Sequence, residues 1–160
     1  MQILLYQKFY YHLNLGNNQI SDIKVLENVN FEKLEIFGLN NNKISDINIL
    51  EKANFKELIH LNLGNNQIKD IKVLEKVNFE KLEELGLNNN YIKDINILEK
   101  VNFKELKELN LNFNRISDIN ILEKVDFKEL IDLDLSNNQI NKEKYNSLLI
   151  NLKSKMNVLI

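Results

Sequence analysis

Leu13-Asn14-Leu15-Gly16-Asn17-Asn18-Gln19-Ile20 returns as Phe37-Gly38-Leu39-Asn40-Asn41-Asn42-Lys43-Ile44, and the same octet begins again at Leu61, Leu85, Leu109 and Leu133. Each start lies 24 residues after the last, so the chain carries six copies. A fixed period of this length marks a stack of like units, none of which buries its apolar face alone.

Working outward from the octet, the unit read from the second copy is Leu34-x-x-Phe37-x-Leu39-x-x-Asn42-x-Ile44-x-Asp46-Ile47-x-x-Leu50, followed by Glu51-Lys52-Ala53-Asn54-Phe55. Apolar residues separated by one small or polar residue (Phe37 and Leu39, Leu85 and Leu87, Leu109 and Leu111) predict a strand with one buried face. Such strands should stack as a parallel sheet about 4.8 Å apart. On the return side Ile23, Leu26, Val29, Phe31 and Leu34 are spaced in threes, which suggests a short 3₁₀ or α turn. Asp22, Asp46, Asp70, Asp94 and Asp118 are placed to cap that turn. Phe31, Phe55, Phe79, Phe103 and Phe127 recur once per unit and are expected to stack as an aromatic spine.

The segment L-x-x-L-x-L-x-x-N-x-I resembles the leucine-rich-repeat consensus over nearly the whole chain. Tyr10 and Phe37 depart from Leu but remain large and largely apolar. The Asp-Ile-x-x-Leu that follows looks like the internalin and phosphatase-regulator type of repeat, although those families commonly use 22 residues rather than 24. The resemblance implies an α/β fold, a right-handed curved solenoid. Its parallel β-sheet lines the concave face and its short 3₁₀ or α turns line the convex face. It also implies that Asn18, Asn42, Asn66, Asn90, Asn114 and Asn138 point inward, each side-chain amide bonding turn backbone that would otherwise be unpaired.

Residues 1–160 are read as one leucine-rich-repeat domain. Residues 10–140 hold the six repeats. Residues 141–160 form a C-terminal cap: Asn141 can cap a helix with Tyr145, Leu148, Leu149 and Leu152 on one face, and Met156 to Ile160 can add a last strand. Residues 1–9 either lid the first repeat or mark the chain as a stretch of a longer array. Within the array, residues 13–60 and 61–108 differ at nine positions only: 21, 28, 36, 37, 43, 45, 53, 59 and 60 against their partners 48 later. This is expected of a duplicated two-repeat block, since solenoids grow by copying whole units, or of a ligand whose own period spans two repeats.

Composition narrows the functional classes. Net charge is −2, which offers no electrostatic footprint for nucleic acid or an anionic membrane. With no Cys there is no disulfide, thiolate zinc site or cysteine nucleophile. The start of the chain lacks the basic and small-residue marks of a signal peptide. Together these point to a reducing, cytoplasmic setting. No cofactor and no metal are expected. His12 and His60 would lie two strands apart, about 10 Å, too far to share a zinc ion unaided. Neither can reach Ser136 and Asp132 for a catalytic triad. The chain is therefore expected not to be an enzyme.

Binding residues are sought among the outward strand positions. One column reads His12, Ile36, His60, Glu84, Glu108, Asp132; the next reads Asn14, Gly38, Asn62, Gly86, Asn110, Asp134; the third reads Gly16, Asn40, Gly64, Asn88, Asn112, Ser136. Glu84, Glu108 and Asp132 on successive strands, with Asp134 beside them, put like charges side by side. That is expected either of a solvated surface or of an acidic patch meeting a basic protein partner. The glycines read as low bulk, with room for a partner's backbone. Phe113 replaces the Asn of the other five repeats, while Tyr91 and Arg115 share a column on adjacent repeats. These three either form a binding hot spot or satisfy one another and the neighbouring turns. The expectation is a protein–protein interaction module, monomeric, with no nucleic-acid or membrane partner, and with self-association through the N-terminal edge as a further route. The alternatives are a structural piece of a longer array or a phosphatase regulatory subunit.

Overall fold

The computed structural model describes residues 11–160; the expected lid, residues 1–9, and Tyr10 lie outside them. Six three-residue strands recur at the predicted period: β1 His12–Asn14, β2 Ile36–Gly38, β3 His60–Asn62, β4 Glu84–Gly86, β5 Glu108–Asn110 and β6 Asp132–Asp134. A seventh, β7 Asn157–Leu159, closes one parallel sheet in the order β1 to β7. Every pairing inside the array is offset by one repeat, so Leu13, Phe37, Leu61, Leu85, Leu109 and Leu133 share one row. Identical rows exist because each unit is the same length. A one-residue slip would turn every inward Leu to solvent.

Behind the sheet the chain returns through one-turn 3₁₀ helices: Lys24–Asn28, Asn48–Glu51, Lys72–Glu75, Asn96–Glu99 and Asn120–Glu123. The expected aspartates hold their starts, one residue earlier than an ordinary cap. In each, the Asp Oδ1 accepts the N–H two residues on, as Asp70 does from Lys72 at 2.9 Å and Asp94 from Asn96 at 2.8 Å. Asp22, Asp46 and Asp118 repeat the bond. Short polar side chains favour this local turn over a continuing helix.

The core is a single ladder of apolar rows between sheet and return side. Ile68, Leu63 and Leu82 are fully enclosed, as are their counterparts Ile92, Leu87 and Leu106. Each buried Leu or Ile contributes about 1.5–3 kcal/mol. The aromatic spine is shorter than expected. Phe31 and Phe55 stack at 5.2 Å, Phe55 meets Phe79 at 5.7 Å and Phe79 meets Phe103 at 6.1 Å, while Phe37 joins from the strand side at 5.6 Å from Phe31. Phe127 is only partly buried and takes no place in the stack.

The inward asparagines satisfy two repeats at once. Asn90 donates Nδ2 to the carbonyls of Leu87 and Asn88 in its own turn and of Leu63 one repeat back, at 3.1, 3.2 and 3.1 Å. Its Oδ1 accepts the Ile68 N–H at 2.9 Å. Asn42, Asn66, Asn114 and Asn138 make the same set. No buried side-chain polar atom among the described residues lacks a partner.

At the C-terminal end α1, Asn146–Lys153, buries Leu148, Leu149 and Leu152, with Tyr145 just before it. Asn141 caps the turn that leads into α1 rather than α1 itself: its Oδ1 accepts the Lys144 N–H at 2.9 Å. The Tyr145 hydroxyl donates to Asp118 at 3.0 Å, tying this end to the fifth repeat.

Candidate partner-binding face

Alternation along each strand points the first and third residues out of the sheet. The register brings His60, Glu84, Glu108, Asp132 and Asn157 into one row across β3 to β7. The carboxylates have different surroundings. Glu84 pairs with His60 Nδ1 at 2.9 Å. Asp132 accepts the Asn157 side-chain amide. Asp134 is the most engaged: it takes the Asn112 amide at 2.7 Å, the Ser136 N–H at 2.9 Å and the Ser136 hydroxyl at 2.7 Å. Glu108 stands exposed between two acidic neighbours. Elsewhere charges alternate across repeats: Lys52 with Glu27, Lys76 with Glu51, Lys81 with Glu57, Lys100 with Glu75 and Lys107 with Glu83. The Glu83 carboxylate bonded to Lys107 holds its ammonium above the ordinary lysine value. The acidic row has no such lysine within it.

Glycine and asparagine interlock on this face, which corrects the reading of the glycines as spare room for a partner's backbone. A Cβ on Gly16 would meet Asn40 Oδ1 at 2.7 Å, and one on Gly64 would collide with the Asn88 amide. The space above those two glycines is filled by asparagines of the next strand. Gly86 is more open, with Asn62 Oδ1 at 3.2 Å. It helps to line a shallow depression of about 180 Å³ bordered by His60, Glu84, Glu108, Asn62 and Asn110.

The second cluster lies on the turn that follows the strands. Tyr91 and Arg115 do stack, with the guanidinium carbon 4.4 Å from the ring centre. Phe113 is 56% exposed, so it does not pack away on a neighbouring turn. Its backbone is left-handed, φ 50°, as it is at Asn17, Asn41, Asn65, Asn89 and Asn137. Asn tolerates that region through its short polar side chain; Phe does not. The sequence shows that Phe113 breaks the column, and the backbone shows that the break carries strain.

Sequence reasoning missed a third feature, a groove of about 660 Å³ on the return flank. Lys69, Lys72, Lys93, Lys100, Tyr91 and Arg115 line it together with Asp70, Asp94 and Glu75. The available signal was the list of differences between the duplicated blocks: Lys69 stands against Ser21, Tyr91 against Lys43 and Lys93 against Ser45. Among the described residues no three side chains are gathered as metal ligands, and no helix is long and apolar enough to cross a membrane.

The family model described as leucine-rich repeats (2 copies) matches residues 56–100 and again 80–124. No curated protein matches the chain in sequence. Among solved structures, an internalin, InlF, from Listeria monocytogenes is 33% identical with a TM-score of 0.69, covering 89% of this chain and 38% of its own. Internalin C2 from the same bacterium is 29% identical with a TM-score of 0.61, covering 84% of this chain and 52% of its own. The chain thus spans about two fifths and one half of these two relatives. A plant peptide hormone receptor, RGFR1, solved in complex with RGF2, shares the fold at 24% identity and a TM-score of 0.61, over 81% of this chain and 21% of its own. The period, the parallel register, the asparagine ladder and these matches agree: the chain is a leucine-rich-repeat protein with repeats of the internalin type.

Proposed function

We propose that the chain is a protein-recognition module. Its partner meets the exposed sheet face at Glu84, Glu108, Asp132 and Asp134 and the adjoining rim at Tyr91, Phe113 and Arg115. Leucine-rich-repeat proteins are generally non-enzymatic interaction scaffolds, which supports the general reading. The observation that carries the finer one is Phe113, an exposed aromatic held in a strained backbone that five sister turns give to Asn. Strain of this kind persists where it serves a site. The depression beside Gly86 is smaller than the roughly 300–1,000 Å³ of small-molecule pockets, so it suits one projecting side chain of a protein. With Glu84 and Glu108 on its border, that side chain is cationic. A rigid preformed sheet limits the ordering cost of binding. Seven strands span about 29 Å, enough for an interface of about 800 Å² per partner.

The test is a pull-down with the full chain as bait. Wild type is run beside Phe113→Asn and beside the triple variant Glu84→Lys/Glu108→Lys/Asp132→Lys. A protein held by wild type and lost from both variants is the expected result. Equal recovery on all three baits would remove both clusters from the interface.

A further inference from the structure

The flank groove has an internal control in the same molecule. Forty-eight residues earlier, at the equivalent place, lies a groove of about 390 Å³ lined by Ser21, Asp22, Lys24, Glu27, Glu51 and Lys52, with Asp46. Its lining carries two cations against four carboxylates. The later groove carries five cations, Lys69, Lys72, Lys93, Lys100 and Arg115, against three carboxylates. The two blocks differ at nine positions in all, and three of those differences, at 69, 91 and 93, fall in the later groove's lining. The core differs between the blocks only at Phe37 against Leu85 and Ala53 against Val101, outside both linings, so packing does not account for the charge added at Lys69, Lys93 and Arg115.

Four of the later groove's five cations are unspent. Among the described residues Lys69, Lys72, Lys93 and Arg115 make no ion pair, while Lys100 pairs with Glu75 at 3.8 Å as Lys52 does with Glu27 in the earlier groove, where Lys24 is the one unpaired cation. Asp70 and Asp94 each give one carboxylate oxygen to the turn backbone. Stacking on Tyr91 fixes the Arg115 guanidinium on the groove's rim. It leaves the in-plane N–H groups, the ones that bind carboxylate as a fork, free of the ring.

We propose that this groove is a second binding site, taking an acidic peptide segment whose carboxylates meet Lys69, Lys72, Lys93 and Arg115. It lies on the return flank, apart from the acidic row of the sheet, and selects the opposite charge. Apart from the Tyr91–Arg115 pair at their border, the two sites share no residue.

Fluorescence anisotropy of the full chain with a labelled peptide of alternating glutamate and glycine tests this. Binding should appear at low salt and weaken as salt rises toward about 0.15 M, where screening sets in within about 8 Å. Lys69→Ser/Lys93→Ser, which installs the residues of positions 21 and 45, should weaken it roughly five- to tenfold. Lys24→Ser in the earlier groove should leave it unchanged, and so should Glu84→Gln/Glu108→Gln/Asp132→Asn. The latter control separates this site's failure from failure of the sheet-face reading. No binding at low salt, or equal binding by Lys69→Ser/Lys93→Ser with an unaltered melting curve, overturns the proposal. Tighter binding of a labelled single-stranded oligonucleotide than of the peptide, lost in the same variant, overturns it in favour of nucleic acid.

Discussion

Replacing Asn90 with alanine removes one side chain that serves two repeats, and the structure tells which of its bonds matter. The carbonyls of Leu63 and Leu87 each accept a second amide, from Asn66 and Asn114 respectively, and the Asn88 carbonyl also accepts the Asn65 N–H. Those three acceptors keep a partner in the variant. The Ile68 N–H does not: Asn90 Oδ1 is the acceptor it uses, and Ile68 is wholly enclosed. Leaving one buried donor unmade costs about 1–3 kcal/mol. Asn90 is itself 5% exposed, so water has little access to replace it. For a chain of this size about 2 kcal/mol lowers the thermal midpoint by roughly 4–8 °C. Urea unfolding followed by circular dichroism measures the loss directly as a fall in midpoint at constant slope. Asn41→Gly is the control. It changes an exposed, left-handed Asn one residue before the ladder residue Asn42 and should stay within about 0.5 kcal/mol. If Asn90→Ala unfolds at the wild-type urea concentration, the ladder does not hold the turns together.

Phe113→Asn should raise stability by about 1 kcal/mol, because Asn accepts the left-handed backbone that Phe resists; a lower urea midpoint would show that the ring contributes packing instead. Asp118 supplies a pH dependence. The Asn120 backbone N–H first, then the Tyr145 hydroxyl and the Lys144 ammonium, hold its carboxyl below the usual carboxylate range. A depressed folded-state value means stability that is present above the unfolded-state pKa, near 4, and lost as pH falls through the folded one. The stability gap between wild type and Asp118→Asn should therefore be full at pH 6 and shrink in denaturation curves taken below about pH 4. A gap that holds constant or widens on acidification would refute the assignment.

Much of this protein was legible before any coordinates, because a repeat reports its own register. The 24-residue spacing placed Phe37 between Leu13 and Leu61, and the strand row follows it residue for residue. The asparagine ladder was legible as a column as well, though only through likeness to other repeats of this kind. What periodicity does not carry is the fate of residues that break the period or point outward. Glu84, Glu108 and Asp132 read as one acidic column, but whether a carboxylate is free depends on its neighbours: Asp134 is bound by Asn112 and Ser136, and Glu108 stands open. The glycines read as empty space until the asparagine of the next strand was seen to fill it. Phe127 has the spacing of a spine residue and lacks the burial.

The sequence by itself thus determined the architecture: unit length, strand row, turn residues and the inward face. Burying an apolar stripe every 24 residues admits one register, and a single slip would expose all of it. Tertiary structure alone decided the surface. It revealed the left-handed backbone under Phe113, the stack of Arg115 on Tyr91 and the meeting of Lys69, Lys72 and Lys93 in one groove. Exposed side chains are not constrained by the repeat that carries them. Their partners come from neighbouring turns about 24 residues away, and only the packed stack brings those together.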